Sequence, residues 1–221
     1  MPAEPLRYTL RHHRAAMLRT FSISALGSIT YYVGIIYVPT FLATTGRRGE
    51  SEALGLSTVA AVVVILVTPL VGLISDRLGR RRVLIGLAGA NALLPITLFS
   101  LMHAASTPQA VFGAVVLAVL AGGVSAVGAA ATAEQFPGEG RLSGLALGAA
   151  AATAVFGGLT PFVAELLINR TSWPLVPCAM IALVAVLVLP VLFTMPETAF
   201  AKKKGLSSPA ANPGHYALLL V

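Results

Sequence analysis

Charged residues are scarce in this 221-residue chain. They make up only 10% of it, while 57% of the residues are hydrophobic; a soluble domain has ~25% charged and ~45–50% apolar residues. Five stretches contain no charged residue: 20–46, 53–75, 83–133, 142–164 and 171–196. A soluble globule must cover itself with polar surface and cannot bury five such stretches, and a disordered chain would be highly charged. The pattern therefore predicts a polytopic membrane protein.

Groups that carry out chemistry are equally rare. The single cysteine, Cys178, forms neither an intramolecular disulfide nor a zinc site, so we predict no metal and no cofactor. The last two apolar stretches contain no histidine to act as the base of an intramembrane protease, so we predict no catalytic residue and no enzyme. The net charge of +7 could attract nucleic acid. The basic residues border the apolar stretches instead, so no nucleic-acid partner is predicted.

The lengths of the apolar stretches predict an all-α fold. A helix needs ~20 apolar residues to cross the bilayer, and four of the stretches fit one crossing each. The stretch 83–133 is too long for one helix and breaks at His103–Pro108. Membrane strands would alternate in polarity, and these stretches do not. Six spans are predicted: Thr20–Ala43, Ala53–Ser75, Val83–Met102, Pro108–Ala133, Leu142–Ile168 and Trp173–Met195.

The basic residues predict the orientation of these spans. Six crossings place both termini on one side, and that side carries all but Arg47, Arg48 and Arg170 of the 15 lysines and arginines. Basic loops stay cytoplasmic. We therefore predict a multi-pass protein of the plasma or inner membrane with both termini in the cytoplasm. It would have a basic leader (1–19), a helical bundle (20–198) and a disordered tail (199–221).

The loop between the second and third spans has the pattern G-x-x-x-D-R-x-G-R-R. Gly79 permits the positive φ that so short a reversal needs. Asp76, the only aspartate, can accept bonds from the N–H groups that open the third span or pair with a neighbouring arginine. Gly72 would allow close helix approach. The predicted conformational loop motif comprises Gly72, Asp76, Arg77, Gly79, Arg80 and Arg81.

Other charged residues border the remaining loops on this side. Glu134 and Arg141 flank the loop after the fourth span, and Glu197 follows the sixth span. Together with Arg80 or Arg81 they predict a cytoplasmic charge network. Each partly exposed pair contributes only ~0–1 kcal/mol, which is enough to bias an equilibrium between two conformations.

Polar side chains inside the spans are the candidates for a substrate path. They are Ser24, Ser28, Tyr31 and Tyr32 in the first span, Asn91 in the third and Glu165 in the fifth. Spacing by four places several of them on one face, and tyrosine suits a cationic or zwitterionic ligand. Hydrogen bonding between helices and placement at the membrane interface remain open as alternatives. The span centres carry no charge, so no intramembrane proton carrier is evident.

Small residues indicate how the fifth span behaves. Gly144, Gly148 and Ala152 are spaced by four, a pattern that allows close helix packing. Further along, Gly157 and Pro161 predict a locally weakened helix.

Several of these strings resemble the major facilitator superfamily. The loop motif resembles its signature between the second and third helices, and Glu134–Arg141 resembles its E-x6-R pattern. Met195–Thr198 resembles the P-E-T after the last helix of sugar porters and metabolite:proton symporters. Thr30–Leu42 and Gly157–Pro161 resemble the seventh and eleventh helices of metabolite:proton symporters of the proline/betaine type.

The resemblance implies a fold and a function. Full members have twelve helices in two halves, and this chain has six, so it implies the C-terminal half. Family members import zwitterionic osmolytes or carboxylic acids with protons. The implied partners are the lipid bilayer, a small substrate, protons, and a missing N-terminal half or a second copy. The alternative is a degenerate or scaffold-like membrane protein without transport activity.

Overall fold

The computed structural model describes residues 13–44, 49–104, 107–136 and 141–198. Most of the predicted leader and the whole tail 199–221 lie outside these residues. The described chain contains six helices long and apolar enough to cross a membrane, which confirms the predicted number. We number these spans α1 to α6.

Two of the spans contain a short π-helical turn, and the other four are continuous. The bounds are, for α1, Arg14–Tyr31, the π turn Tyr32–Tyr37 and Val38–Thr44; for α2, Glu50–Leu78; for α3, Arg80–Ala104; for α4, Thr107–Ala133; for α5, Arg141–Thr153, the π turn Ala154–Gly158 and Thr160–Thr171; and for α6, Val176–Phe193.

The ends differ from prediction where charge or backbone geometry intervenes. Helix α1 begins at Arg14 rather than Thr20, because a charged residue ends an apolar stretch without ending a helix. Helix α6 begins at Val176 rather than Trp173. Ser172 closes α5 in the left-handed conformation with φ 55°, and the chain must leave that turn before a new helix can start.

Helices α1 and α4 form the centre of the bundle. Their side chains Leu26, Val33 and Leu117 are fully buried. Helix α1 packs against α4, α5 and α6, α4 packs against α2 and α3, and α3 packs against α6. Glycines permit some of these contacts, since a Cβ on Gly122 would lie 3.3 Å from the Val64 carbonyl oxygen. Helix α2 contributes few buried residues, and most of its side chains are partly or fully exposed.

Alternation of the six spans brings particular helix ends together. One end of the bundle contains the starts of α1, α3 and α5 and the ends of α2, α4 and α6. We call it the basic end, because Arg14, Arg19 and the arginines at 77 and 80–82 lie there. The opposite end holds a contact between Phe41 and Phe99, whose ring centroids are 4.9 Å apart.

Candidate functional site

The turn between α2 and α3 consists of a single residue, Gly79. Its φ of 104° and ψ of 137° are strained for any residue with a Cβ. A Cβ placed there would also lie 2.5 Å from the Oε2 atom of Glu197. Both the backbone conformation and the neighbouring carboxylate therefore require glycine, as the sequence predicted for this reversal.

Arg80, the first residue of α3, uses its whole side chain in bonds to α2 and α4. Its Nε atom lies 2.9 and 2.8 Å from the two carboxylate oxygens of Glu134, so one N–H is shared between them. One terminal nitrogen lies 2.9 Å from Asp76 Oδ1, and the other donates to Ser75 Oγ at 3.2 Å. The Arg80 side chain is only 10% exposed, so water competes little for these bonds.

The segment after α6 closes the same site. The backbone N–H of Arg80 donates to Glu197 Oε1 at 2.7 Å, and the hydroxyl of Thr198 donates to Glu134. We call the group formed by Ser75, Asp76, Arg80, Glu134, Glu197 and Thr198 the Arg80 cluster. It joins the ends of α2 and α4, the start of α3 and the chain that leaves α6.

The cluster agrees with the predicted network in part. Asp76 pairs with Arg80, one of the two roles expected of it. The other role falls to Glu197, because its carboxylate, and not that of Asp76, accepts the N–H that opens α3. The expected close helix approach at Gly72 is wrong within the described residues: nothing lies within 4 Å of a Cβ built there. The side chain of Arg141 lies outside the described residues, so its part in the network stays a prediction.

The charges of the cluster do not balance. Among the described side chains, the cluster contains one guanidinium and three carboxylates, and the guanidinium pairs with only two of them, those of Asp76 and Glu134. Arg77 at the end of α2 and Arg81 at the start of α3 flank the Gly79 turn, yet neither has an ion pair with a described carboxylate. Their place in the motif also stays a prediction.

A second polar region runs along the contact between α1 and α5, which we call the α1–α5 seam. The hydroxyls of Ser28 and Thr153 are 3.1 Å apart. Farther from the basic end, the hydroxyl of Tyr37 donates to Glu165 Oε2 at 3.2 Å. Ser28 and Glu165, two of the predicted path residues, therefore each take part in a hydrogen bond between α1 and α5.

Glycines of α5 set the spacing of the seam, one between these two bonds and one nearer the basic end. A Cβ on Gly157 would lie 2.8 Å from Cε2 of Tyr32, so the tyrosine ring packs directly on the α5 backbone. Gly148 meets Thr20 in the same way, with a 3.0 Å contact to the methyl group. The close packing predicted from the small residues of the fifth span is thus confirmed.

Both π turns lie in this seam, one in each helix. A π turn inserts an extra residue into a helix and occurs frequently at functional sites. Each is followed within three residues by a proline, Pro39 or Pro161, which has no N–H to continue the helical bonds. The weak point predicted in α5 is confirmed. The π turn in α1 was not predicted, and its one local sign in the sequence is Pro39, two residues beyond it.

The remaining path candidates are distributed around α1. Tyr31 is exposed, and its ring centroid is 6.1 Å from that of Tyr32. Ser24 is partly buried. Asn91 is fully buried in α3; its Oδ1 lies 3.2 Å from the Thr30 hydroxyl, and its Nδ2 donates to the Leu87 carbonyl at 2.9 Å. The structure therefore places Asn91 as a link between α1 and α3, apart from the other candidates.

Sequence reasoning missed three members of these sites. Ser75 and Thr198 each lie next to a predicted residue and bear a hydroxyl, but nothing in their spacing indicates a bond to α3 or α4. Tyr37 is a third tyrosine in a span already identified as polar. Among the described residues, no group of three potential ligands is placed to hold a metal ion.

Comparison with known proteins completes the description of the chain. The family profile described as Major Facilitator Superfamily matches residues 15–218. The chain is 31% identical over 156 residues to the alpha-ketoglutarate permease of Escherichia coli K12, covering 70% of this chain and 36% of the permease. It is 29% identical over 197 residues to the proline/betaine transporter of the same organism, covering 89% of this chain and 39% of the transporter.

A third relative is the citrate-proton symporter of Klebsiella pneumoniae. It is 30% identical over 186 residues, covering 76% of this chain and 41% of the symporter. The chain thus spans between 36% and 41% of the length of these three relatives. Their names describe transporters and not enzymes.

Proposed function

The chain belongs to the Major Facilitator Superfamily, and on that premise we propose that it is the C-terminal six-helix half of a proton-coupled symporter. The substrate class we propose is a small zwitterionic osmolyte or an organic acid. The observation that carries the proposal is the Arg80 cluster, in which one arginine of the loop motif joins four parts of the bundle at one end.

We propose that the cluster holds one conformation and opens in the other. Its bonds are charge-assisted, which makes each about twice as strong as a neutral hydrogen bond. They also lie at the end of the bundle, so they can be exchanged for bonds to water when helices move apart. Such a group can bias a conformational equilibrium without blocking it.

The α1–α5 seam supports the assignment of a substrate path. Ser28 and Tyr31 of α1 and Thr153 of α5 offer hydroxyls at the partly exposed surface of the seam, and the tyrosine rings offer π faces. Hydroxyls bind carboxylate groups, and aromatic faces bind quaternary or primary ammonium groups. A zwitterion carries both. The pair of Glu165 and Tyr37 would lie at the far end of this path.

A single half does not enclose a transport path, because such paths run between two repeats. We therefore propose that an N-terminal half or a second copy of this chain covers the exposed side of the bundle. The exposed side chains of Tyr31 and Thr153 at the α1–α5 seam support this arrangement. The concentration of arginines at the basic end supports a cytoplasmic location for that end, with both termini inside.

The first test is to read the DNA upstream of the Met1 codon. Six further in-frame apolar helices with a second copy of the loop motif would identify the missing half. Uptake of labelled glycine betaine, proline, citrate and α-ketoglutarate is then measured in cells, for the chain alone and for the joined protein.

Symport predicts uptake by the joined protein that stops when a protonophore collapses the proton gradient. Uptake that is unchanged by the protonophore would contradict proton coupling but would still show transport. If neither protein moves any of the four compounds, the scaffold-like alternative is favoured. The matched control is Arg80→Gln in the joined protein, which should lose transport while remaining in the membrane.

A further inference from the structure

An apolar groove lies between α5 and α6, beside the π turn of α5. Its volume is about 250 Å³. The lips are formed by Val155 and Leu159 of α5 and by Leu183 of α6, and the buried Ile29 of α1 lies among the residues that line it. One water molecule occupies ~30 Å³ in the liquid, so the groove has room for a chain of several methylene groups.

The groove offers nothing to a polar occupant. Among the described residues that line it, Thr160 carries the only side-chain hydroxyl, and that hydroxyl already donates to the Phe156 carbonyl at 2.7 Å. Water needs two to four polar partners to occupy such a space. The occupant that fits the groove is therefore a hydrocarbon.

The surroundings of the groove indicate where that hydrocarbon comes from. The exposed large side chains of α6 (Leu183, Val186, Leu187 and Phe193) are all hydrocarbon. The α5 lip continues an exposed apolar row comprising Val155, Leu159, Phe162 and Leu166, spaced so that its members share a face. The hydroxyl pair of the seam involves Thr153, which does not line the groove. Both lips thus present surfaces suited to the interior of a bilayer.

We propose that this groove binds one acyl chain of a bilayer phospholipid. The bilayer is as apolar as the groove, so binding would come from packing and not from the hydrophobic effect. A chain seated there contacts protein on two sides, whereas a chain against a convex helix contacts it on one. It would also pack against Val155 and Phe156, which belong to the π turn of α5.

The test is photolabelling of the full 221-residue chain in vesicles. The probe is a phosphatidylethanolamine that carries a diazirine at the middle of one acyl chain, and mass spectrometry locates the label. We expect Val155, Leu159 and Leu183 to be labelled about threefold more than Leu66 and Leu187, a ratio that corresponds to ~0.7 kcal/mol. Leu66 and Leu187 are 61% and 64% exposed, so they report contact with bulk lipid.

A substitution pair tests the site itself. In Leu159→Trp the indole fills the groove, and labelling of Leu183 should fall to the level of Leu66. In the control Leu187→Trp, a similarly exposed position outside the groove, labelling of Leu183 should not change. The protection of the buried Cys178 from a thiol reagent verifies that each variant is folded.

Three results would overturn the proposal. Uniform labelling of all exposed leucines in the unaltered chain would show ordinary bulk lipid, and it decides the matter even if Leu159→Trp fails to fold. Labelling of Leu183 that persists in a folded Leu159→Trp would exclude the groove as the source. Groove residues labelled less than Leu66 would indicate that another polypeptide covers them.

Discussion

The Arg80 cluster and the α1–α5 seam hold helices together by opposite means. In the cluster, four parts of the bundle meet at Arg80: its guanidinium bonds residues of α2 and the end of α4, and its backbone N–H bonds Glu197 after α6. In the seam, two long helices are joined by the side-chain bonds of Ser28 to Thr153 and of Tyr37 to Glu165, and by ring and methyl contacts to glycine. The contrast shows that strong polar bonds are concentrated at one end, while the apolar depth of the bundle is held by close packing around two irregular turns.

The largest loss of stability is expected when Arg80 of the cluster is replaced. We expect Arg80→Ala to lower the free energy of unfolding by about 3 kcal/mol, because it leaves the carboxylate of Glu134 partly buried without its cation. The measurement is thermal unfolding followed by a thiol-reactive dye, since the single cysteine is buried. Arg82→Ala is the control: Arg82 is exposed, and its loss should change stability by less than ~0.5 kcal/mol. Equal effects would contradict the central role of Arg80.

Gly79 tests whether the turn is as constrained as its geometry indicates. We expect Gly79→Ala to cost ~1–3 kcal/mol, since the backbone conformation is unfavourable for alanine and the new methyl group meets Glu197. Gly72→Ala, in the interior of α2 with open space around it, should stabilise the chain by ~0.5–1 kcal/mol through helix propensity. The same dye assay compares the two. A neutral Gly79→Ala would refute the assigned backbone strain.

Gly157 tests the close packing of the seam. We expect Gly157→Ala to cost ~1 kcal/mol, because the methyl group forces Tyr32 away from α5 and this outweighs the gain in helix propensity. The neighbouring Gly158 belongs to the same π turn, and a Cβ placed on it would have no atom of another helix within 4 Å. Gly158→Ala should therefore be neutral or stabilising. If both substitutions are equally harmful, the π turn itself and not the contact with Tyr32 is the sensitive feature.

The smallest expected effect is that of the bond between Tyr37 and Glu165. Tyr37→Phe removes only the hydroxyl, and a hydrogen bond between membrane helices contributes ~0.6 kcal/mol on average. Glu165→Gln retains a hydrogen-bond acceptor and should lower the free energy of unfolding by less than Tyr37→Phe does. Unfolding of both variants by denaturant in the same detergent provides the comparison. An effect of Tyr37→Phe as large as that of Arg80→Ala would remove the distinction between the two regions.

Much of the fold follows from local properties of the sequence. The apolar stretches predicted six spans because the bilayer requires ~20 apolar residues for each crossing. Glycine and proline predicted the reversal at Gly79 and the weak point near Pro161, because both residues alter backbone freedom locally. A proline alone does not predict a π turn, however. Pro69, Pro95 and Pro190 lie inside helices without a π turn, so the difference depends on the packing around each one.

The chain's membrane character, its number of spans and the charged residues at the basic end were determined by the sequence alone, since they depend on composition, length and spacing. The partners of those charges were decided only by tertiary structure. The carboxylate that caps α3 comes from Glu197, 117 residues along the chain, and not from the nearby Asp76. Tyr37 and Glu165 meet across 128 residues, because two helices pack closely enough at glycines for their side chains to reach. A contact of that range depends on how whole helices fit together, and no local pattern records it.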